Sequence, residues 1–477
     1  MAPTTGPTTA ATPSGTPRER WSSRIGFVLA ATGSAVGLGS IWKFPYITGV
    51  NGGGWFVAIY LACIALIAVP IMVAEILLGR ATRKAPVGAF RDAGGGRLWR
   101  GVGWMGVVTV GVILSYYSVV AGWTMHYAWL SASGALRQTD PQAVSAQFAA
   151  VHADAGVNLA WHLAFMLLVT WTVLRGVRAG VERWNRWLMP LLLAMMVALT
   201  ARAVTLDGFG AALEFVFGLH GADLTARSVL EALGHSFFTL SLGMGAMITY
   251  GSYVGDDEDV AAASVTISAL DTLISLLACL MIFPITFTFG LAPGAGPGLI
   301  FANLPIGFAQ IPGGAAWGTL FFALLAVAAL SSGISALEVV VAHAMDEFGW
   351  SRARATLTLA GAIALLGVPS ALSGATTVFG SGFAEWTTPL FGPGKGRNWF
   401  DTFDWLASNL ALPLGGLGVA VFVAWRMGPA ARERAFCAGS SWARAYWAWL
   451  WLLRWLVPLG VVVILLNALG AFGGRLG

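Results

Sequence analysis

A chain of 477 residues that is 57% hydrophobic and only 10% charged carries far less charge than a soluble protein of this size, which indicates a polytopic membrane protein. The net charge of +5 does not indicate nucleic-acid binding, because the basic residues lie in short loops between apolar segments. The three cysteines are scattered and form neither a disulfide framework nor a metal-binding motif.

The apolar segments predict an all-α protein with eleven membrane spans. Residues 1–17 are predicted to be a disordered cytoplasmic tail, because they are rich in Thr, Pro, Ala and Gly. They lack the apolar region of a cleaved signal peptide. Spans 1–10 lie in a core, residues 18–427, and residues 444–471 form an additional eleventh span. The spans are predicted near residues 25–48, 54–79, 101–131, 157–175, 187–205, 228–254, 261–291, 315–347, 353–373, 401–426 and 444–471.

Basic residues concentrate before span 1 and in the loops after spans 2, 4 and 10. These segments all fall on one side of the membrane, and basic loops are retained in the cytoplasm. The pattern therefore predicts a cytoplasmic N-terminus and, with an odd number of spans, an extracytoplasmic C-terminus. We expect the protein in the plasma (inner) membrane.

Two predicted spans carry glycines where a membrane helix tolerates them least. Span 1 contains "TGSAVGLGSIWKFPY" (Thr32–Tyr46), and span 6 contains "FFTLSLGMGAMITY" (Phe237–Tyr250). Each has a Gly-X-Gly in its middle, and each opens a five-helix unit, about residues 25–205 and 228–426. Unwound backbone at membrane depth is tolerated only where it is buried in protein or lines a cavity. Paired breaks therefore indicate an inverted-repeat transporter whose binding site lies at the breaks.

Close helix packing is the alternative explanation for such glycines, because small residues are common at contacts between membrane helices. One interrupted helix would favour packing. Two in matching positions, each beside hydroxyl side chains, favour a site in which freed carbonyls bind a cation and helix N-termini bind a carboxylate. Span 8 adds two hydroxyls in "AALSSGISALE" (Ala328–Glu338), which taken alone would bond to the preceding turn.

Five motifs resemble those of the neurotransmitter:sodium symporter family, whose bacterial members include LeuT. They are "GSAVGLGSIWKFPY", "NGGG", "SYY", "FFTLSLGMGAMITYGSY" and "LSSGISALE". The resemblance extends from residue 18 to residue 425, and eleven spans instead of twelve are similar to one bacterial branch of the family. It implies a LeuT-type fold with inverted five-helix repeats and broken helices 1 and 6. It also implies a sodium-coupled amino-acid symporter that is not an enzyme.

The resemblance implies that sodium ions bind at two sites, both built from the oxygen ligands that hard cations prefer. The second site is implied to use three carbonyls and two hydroxyls, those of Gly33, Val36, Ala328, Ser331 and Ser332. The first site is implied to use the substrate carboxylate together with the Ala35 carbonyl and the side chains of Ser40, Thr239 and Asp271.

Three residues around the first site depart from the family pattern. Ser40 and Asp271 both stand where Asn is usual. A carboxylate beside sodium can offset the charge that a bound anion balances in chloride-dependent members, so we expect chloride independence. The alternative is a protonated, structural Asp271, although acids inside spans are mostly functional. His235 replaces Gln and either couples protons, with Glu231 biasing its charge, or is a neutral hydrogen-bond partner.

The resemblance also implies a pocket for an L-amino acid. The groups implied to bind its carboxylate and amino group are the N–H groups of Leu38 and Gly39, the Tyr117 hydroxyl, and carbonyls near Ala35, Phe238, Thr239 and Ser241. The residues implied to surround its side chain are Ser34, Ile113, Tyr117, Phe238, Met244, Ser332 and Ala336. None of these is charged and Met244 is adaptable, so we expect a bulky apolar or aromatic substrate.

Two charged pairs match the gates that close the family's pathway. The outer pair is Lys43 and Asp404, where lysine gives a point charge in place of the commoner arginine fork. The residues matching the inner gate are the pair Arg18 and Asp346 with Trp21 and Tyr253 around it. Ion pairs near a surface are weak, which suits contacts that break in every cycle.

Two further acids lie within spans. We expect Glu75 to have a structural role, paired with Arg80, and Glu338 to support the inner gate. The sequence leaves two functional alternatives, a proton-coupled or mixed-coupled transporter and a non-transporting amino-acid sensor. Both intact gate pairs argue against the sensor. The partners we expect are a small amino acid and the bilayer, with no nucleic acid.

Overall fold

The computed structural model describes residues 19–219, 225–256, 258–293, 299–392 and 394–471, the side chains of residues 226 and 227 excepted. Throughout these ranges the chain is helical, without a β-strand, which confirms the all-α prediction. Nine helices of the described chain are long and apolar enough to cross a membrane. They are spans 2–5 and 7–11, namely Gly54–Thr82, Arg97–Ala132, Ala155–Leu174, Val177–Val204, Val260–Thr288, Gly314–Phe348, Arg352–Ala371, Trp399–Arg426 and Ala443–Ala468.

Spans 1 and 6 each consist of two helices, as their glycines predict. Span 1 is formed by Arg24–Ala35 and Gly39–Val50, which are bent by 52° at the break. Span 6 is formed by Ala226–Thr239 and Ala246–Gly251. Together with the nine continuous helices, these broken pairs give eleven segments in the described chain, in keeping with the predicted number.

The largest boundary difference is at the start of span 5, which begins at Val177 and not near residue 187. Its first turn, Val177–Glu182, is π-helical and is followed by Arg183 and Arg186, so its polar residues hide it from a hydropathy window. The predicted tail, residues 1–17, lies outside the described residues. Within the described ranges, six shorter helices connect the spans: Pro86–Asp92, Pro141–Ala153, Phe209–Phe217, Leu299–Gln310, Ser381–Phe391 and Pro429–Cys437.

Spans 3 and 8 pack against each other at the centre of the protein, whereas span 11 lies at its edge. Within the most apolar window of each helix, 83% of span 3 and 67% of span 8 are buried, compared with 33% of span 11. The first half of span 1 contacts spans 5, 7 and 8. Both breaks therefore lie among the central helices and not against lipid.

Candidate functional site

The break in span 1 follows Ala35 because Val36 is extended, with φ −71° and ψ 105°. The helix resumes as a π-helical turn, Gly39–Lys43. Between them, a Cβ added to Gly37 would lie 2.5 Å from the Ser332 Oγ and 2.9 Å from the Tyr117 Oη. Glycine is therefore needed at Gly37 for the space that two site side chains occupy.

The break in span 6 follows Thr239 and depends on left-handed backbone. Ser241, Gly243 and Gly245 have φ values of 54°, 80° and 76°. A Cβ on Gly243 would also lie 2.0 Å from the carbonyl oxygen of Leu412, which is backbone and cannot turn aside. Glycine at Gly243 is required both by its conformation and by this close approach.

A cavity lies where the two breaks meet. Eleven of the twelve predicted substrate-binding residues line it, namely Ser34, Ala35, Leu38, Gly39, Ile113, Tyr117, Phe238, Ser241, Met244, Ser332 and Ala336. Thr239, the twelfth, is not among the lining residues. Gly37, Leu114 and Leu412 also line the cavity and were not predicted. No described charged side chain lines it.

Hydrogen bonds join several polar groups at this cavity. The Leu38 N–H donates to the Tyr117 Oη at 3.3 Å, which brings together two of the groups implied to bind a carboxylate. The Ser241 Oγ donates to the Ser34 carbonyl oxygen at 2.9 Å and so joins the two breaks. The Ser335 Oγ donates to the Ser34 Oγ at 2.5 Å.

The five oxygens predicted for the second sodium site form a connected cluster beside the cavity, which Ser332 also lines. The Ser332 Oγ lies 3.3 Å from the Gly33 carbonyl oxygen and 3.1 Å from that of Val36. The Ser331 Oγ lies 2.9 Å from the Ala328 carbonyl oxygen and 3.5 Å from that of Val36. The structure therefore places all five predicted groups together.

Three residues predicted for the first sodium site form a closed triangle of hydrogen-bond contacts. The Ser40 Oγ donates to the Asp271 Oδ1 at 2.6 Å, and the Thr239 Oγ1 donates to the Asp271 Oδ2 at 3.0 Å. The two hydroxyl oxygens are 2.9 Å apart. All three side chains are fully buried. Ser40 therefore reaches the group despite being shorter than Asn. Ala35, the remaining protein ligand predicted, lines the cavity.

His235 is buried near this triangle, with its ring 5.8 Å from Phe44 and 5.7 Å from Tyr60. Neither of its ring nitrogens has a hydrogen-bond partner among the described residues. Glu231 accepts a hydrogen bond from the Asn51 Nδ2 at 2.8 Å and none from the histidine. The sequence suggested that Glu231 could bias the charge of His235. The structure shows no hydrogen bond between the two residues through which it could do so.

The two residues predicted to form the outer gate are in contact. The Lys43 Nζ lies 3.5 Å from the Asp404 Oδ2, with the lysine side chain 17% exposed and the aspartate 34% exposed. The same ammonium lies 4.6 Å from the centroid of the Phe238 ring, which lines the cavity. The pair and the ring therefore cover the cavity on one side.

Residues predicted for the inner gate also contact one another, through Trp21. The Trp21 backbone N–H donates to the Tyr253 carbonyl oxygen at 3.1 Å, and its Nε1 donates to the Tyr250 carbonyl oxygen at 3.1 Å. The Asp346 Oδ2 accepts from the Ala85 N–H at 2.7 Å. Arg18, the predicted partner of Asp346, lies outside the described residues.

Comparison with known proteins identifies the family. A sequence profile described as the Sodium:neurotransmitter symporter family matches residues 18–145 and 142–388. The sodium-dependent transporter YhdH of Bacillus subtilis is 36% identical over 94% of this chain and 98% of its own length. A sodium-dependent transporter of Haemophilus influenzae is 31% identical, over 95% and 98%. The chain belongs to the Sodium:neurotransmitter symporter family.

A solved structure supports the same assignment. The crystal structure of MhsT in complex with L-phenylalanine matches with a TM-score of 0.85 and 41% sequence identity, over 94% of this chain and 100% of that one. The LeuT-type fold implied by the sequence motifs is thereby confirmed. The protein is a sodium-dependent, multi-pass membrane transporter and not an enzyme.

Two acids of the symporter have partners that the sequence did not indicate. Glu75 does not pair with Arg80. Its Oε1 accepts from the Gly243 N–H at 2.7 Å, whereas Arg80 donates to the carbonyl oxygens of Glu258 and Ala435. Because Gly243 belongs to the span 6 break, its freed N–H is the nearer donor. Glu75 thus keeps a structural role with a different partner.

Glu338, fully buried in span 8, is the centre of a network near the inner gate. Its carboxylate receives two hydrogen bonds from Arg352, at 2.7 and 3.1 Å, and one from the Tyr253 hydroxyl at 2.8 Å. Arg352 begins span 9 and was not singled out from the sequence. A buried carboxylate needs hydrogen-bond donors or a cation, and this need is the signal that could have led to Arg352.

Proposed function

We propose that the symporter imports an L-amino acid with a bulky apolar or aromatic side chain, driven by sodium and independent of chloride, by alternating access. One observation carries this proposal. At the break of span 1, beside an apolar cavity, buried oxygen acceptors outnumber the protons available to them.

The second oxygen cluster shows this excess most clearly. Four carbonyl oxygens lie within 3.5 Å of the hydroxyls of Ser331 and Ser332, those of Gly33, Ser34, Val36 and Ala328. The Ser34 oxygen already accepts from Ser241, whereas the oxygens of Gly33 and Val36 share the single proton of the Ser332 hydroxyl. A buried acceptor without a donor costs about 1–3 kcal/mol. A sodium ion bound by the five predicted oxygens would satisfy the surplus, and the absence of a full negative charge suits a monovalent cation.

The triangle of Ser40, Thr239 and Asp271 has a similar shortage of protons. Both hydroxyls direct their protons to the carboxylate, so their mutual contact at 2.9 Å has no proton between the two oxygens. A cation would replace the missing proton, with the carboxylate balancing its charge. The symporter then needs no bound chloride for charge balance, which is the reason that we propose chloride independence.

The cavity supports an amino acid as the organic substrate. The Leu38 N–H and the Tyr117 hydroxyl would bind its carboxylate beside the first sodium ion. Apolar groups of Ile113, Phe238 and Met244 line the remainder, and no described charged side chain would bind an acidic or basic substrate. The related MhsT structure, which contains L-phenylalanine, supports a bulky apolar substrate for this chain as well.

The gates and the two units support alternating access. Lys43 and Asp404 close one side, while Trp21 closes the other through Tyr250 and Tyr253. Each side is closed only by side-chain contacts and by one short segment of chain. The two sides could therefore open in turn while the central helices remain packed. We propose that residues 25–205 and 228–426 act as the two repeats. We also propose that the N-terminus is cytoplasmic and the C-terminus outside, in the plasma (inner) membrane.

The proposal is tested by binding of a labelled amino-acid panel to the purified protein in sodium or potassium buffer, each with chloride or gluconate. We expect sodium-dependent, chloride-independent binding of bulky apolar amino acids. Ser332→Ala should lower the affinity for sodium about tenfold or more, equivalent to about 1.4 kcal/mol. Thr319→Ala removes a hydroxyl from the same helix, where it only caps the Ala315 carbonyl oxygen, and should have no effect. Equal binding in potassium would contradict sodium coupling.

A second candidate is proton coupling through His235 and Asp271. Its support is the buried imidazole whose two nitrogens lack partners among the described residues. The same assay at two pH values separates the candidates. Proton coupling predicts pH-dependent binding without sodium that is abolished in His235→Gln. Sodium coupling predicts that His235→Gln keeps its sodium dependence.

A further inference from the structure

An arginine of span 11 lies where span 11 contacts span 10, well inside the membrane segment. Arg454 is half-buried, in a helix of 26 residues that begins at Ala443. At about 1.5 Å per residue its Cα is about 16 Å from the start of the helix. Because side chains point toward a helix's N-terminus, its guanidinium extends back toward the headgroups of that leaflet. A charged residue at this depth requires a partner.

Only one N–H donor of this guanidinium has an acceptor among the described residues. Span 10 ends in a π-helical turn, Phe422–Arg426. Arg432 already donates to the freed carbonyl oxygens of Val423 and Ala424, at 3.0 and 2.8 Å. The Arg454 Nε donates to the same Ala424 oxygen at 3.3 Å. Among the described residues, no acceptor binds its two Nη groups and no carboxylate pairs with it.

Two tryptophans, Trp425 and Trp455, lie beside this guanidinium. Its central carbon lies 5.1 Å from the centroid of Trp425, whose ring lies 5.3 Å from that of Trp455 at an angle of 88°. The two tryptophans are 53% and 56% exposed. A cation over an indole face is stabilised, and tryptophans prefer the boundary between headgroups and acyl chains.

We propose that these four residues, Trp425, Arg426, Arg454 and Trp455, form a binding groove for the phosphate of an anionic phospholipid. We call them the arginine–tryptophan groove. The Nη groups of Arg454 would donate to two phosphate oxygens, the bidentate geometry that guanidinium favours. The exposed indoles would contact the first part of an acyl chain. This proposal does not depend on the amino-acid substrate proposed above.

The charge of the groove selects the headgroup. Arg426, exposed at the end of span 10, adds a second cation, and no carboxylate of the described residues pairs with either arginine. The ammonium group of a zwitterionic lipid would therefore find cations and no acid. A lipid with a net negative headgroup is favoured, in the leaflet that we expect to be cytoplasmic.

The symporter contains a matched control for this groove. Arg175, at the end of span 4, lies 3.6 Å from the ring centroid of the exposed Trp171. It is itself exposed and terminates its helix instead of lying within one. It has the same pairing of arginine and tryptophan, but water can reach its guanidinium. We therefore expect Arg175 to bind no lipid phosphate specifically.

The test is a titration of the detergent-solubilised full-length protein with dioleoyl phosphatidylglycerol or dioleoyl phosphatidylcholine, with bound lipid counted by native mass spectrometry. We expect tighter binding of phosphatidylglycerol. Arg454→Gln should weaken that binding at least about tenfold, and Arg175→Gln should not change it. Millimolar inorganic phosphate should not compete, because it lacks the acyl chain that contacts the indoles. Competition by phosphate would overturn the assignment to a lipid.

Three other results would also overturn the proposal: equal binding of the two lipids by the wild-type protein, unchanged binding in Arg454→Gln, or an equal loss in Arg175→Gln. Arg454→Lys covers the case in which Arg454→Gln does not fold. Lysine keeps the positive charge but cannot donate two parallel hydrogen bonds to a phosphate, so phosphatidylglycerol binding should fall about threefold or more. Wild-type affinity in Arg454→Lys would contradict the bidentate contact.

Discussion

In span 1 the helix breaks without any left-handed residue, because Val36 is extended and the chain resumes through a π-helical turn. In span 6 the break needs positive φ at Ser241, Gly243 and Gly245. Gly37 of the first break lies against two side chains, whereas Gly243 of the second lies against backbone. Both breaks carry Gly-X-Gly, yet Gly37 is needed for room alone, whereas Gly243 is needed for its conformation as well as for room.

The difference predicts where each break is sensitive. Side-chain ends can move aside at a modest cost, so a larger residue in the first break should disturb ligand binding more than folding. Backbone and a left-handed conformation cannot adapt, so a larger residue in the second break should disturb folding itself.

The largest expected effect is that of Gly243→Ala. An alanine at φ 80° whose Cβ lies 2.0 Å from the Leu412 carbonyl oxygen should lower the free energy of unfolding by about 3 kcal/mol or more. Thermal unfolding in detergent measures this loss. Gly234→Ala is the matched control in the same span, because a Cβ there meets nothing within 4 Å. If both variants unfold at the wild-type temperature, the conformational role of Gly243 is wrong.

Asp271→Asn tests the group that joins the two breaks. Asp271 accepts from Ser40 of span 1 and from Thr239 of span 6, and the proposal assigns it the charge balance for sodium. We expect sodium affinity to fall about tenfold or more, and chloride to stimulate the remaining uptake. Uptake into proteoliposomes with chloride or gluconate measures both effects. Asp207→Asn, in an exposed loop, is the control. Unchanged sodium affinity would remove Asp271 from the ion site.

Gly37→Ala tests the first break. Its Cβ would press on the Ser332 Oγ and the Tyr117 Oη, both of which face the proposed ligands. We expect substrate binding to weaken about tenfold, equivalent to about 1.4 kcal/mol, with little change in the unfolding temperature. Gly101→Ala, where nothing lies within 4 Å, should bind like the wild type. A large fall in stability with normal binding would reverse the comparison between the breaks.

The smallest effect is expected for Glu75→Gln. The amide oxygen can still accept from the Gly243 N–H, so the unfolding free energy should change by less than about 1 kcal/mol. Glu75→Leu removes the acceptor and should cost about 1–3 kcal/mol, because the buried N–H is left unpaired. Comparing the two unfolding temperatures isolates the hydrogen bond. Equal losses would show that the carboxylate's charge, and not its acceptor, supports the break.

Much of the site could be predicted from local sequence. The hydroxyls of Ser331 and Ser332 and the glycines of both breaks are found by their short-range pattern, and the structure brings them together. Leu412 could not be found in this way. It lines the cavity from span 10, but in sequence it is one apolar residue among many in a membrane helix.

Pairing partners were the least predictable feature. Glu75 was expected beside Arg80, one turn away on the same helix, but its acceptor faces the freed N–H of Gly243. The paired carboxylate and guanidinium of Glu338 and Arg352 likewise join two different spans. A buried charged group needs a partner, but the sequence does not show which residue that partner is, because several groups of suitable charge exist in the chain.

Hydropathy and backbone preference depend on neighbouring residues, so the sequence by itself determined the all-α membrane class, the eleven segments and the two breaks. The pairing of buried polar groups depends on which distant segments pack together. Only the tertiary structure therefore decided that Glu75 holds the span 6 break, that Arg352 neutralises Glu338, and that the Nη groups of Arg454 have no acceptor among the described residues.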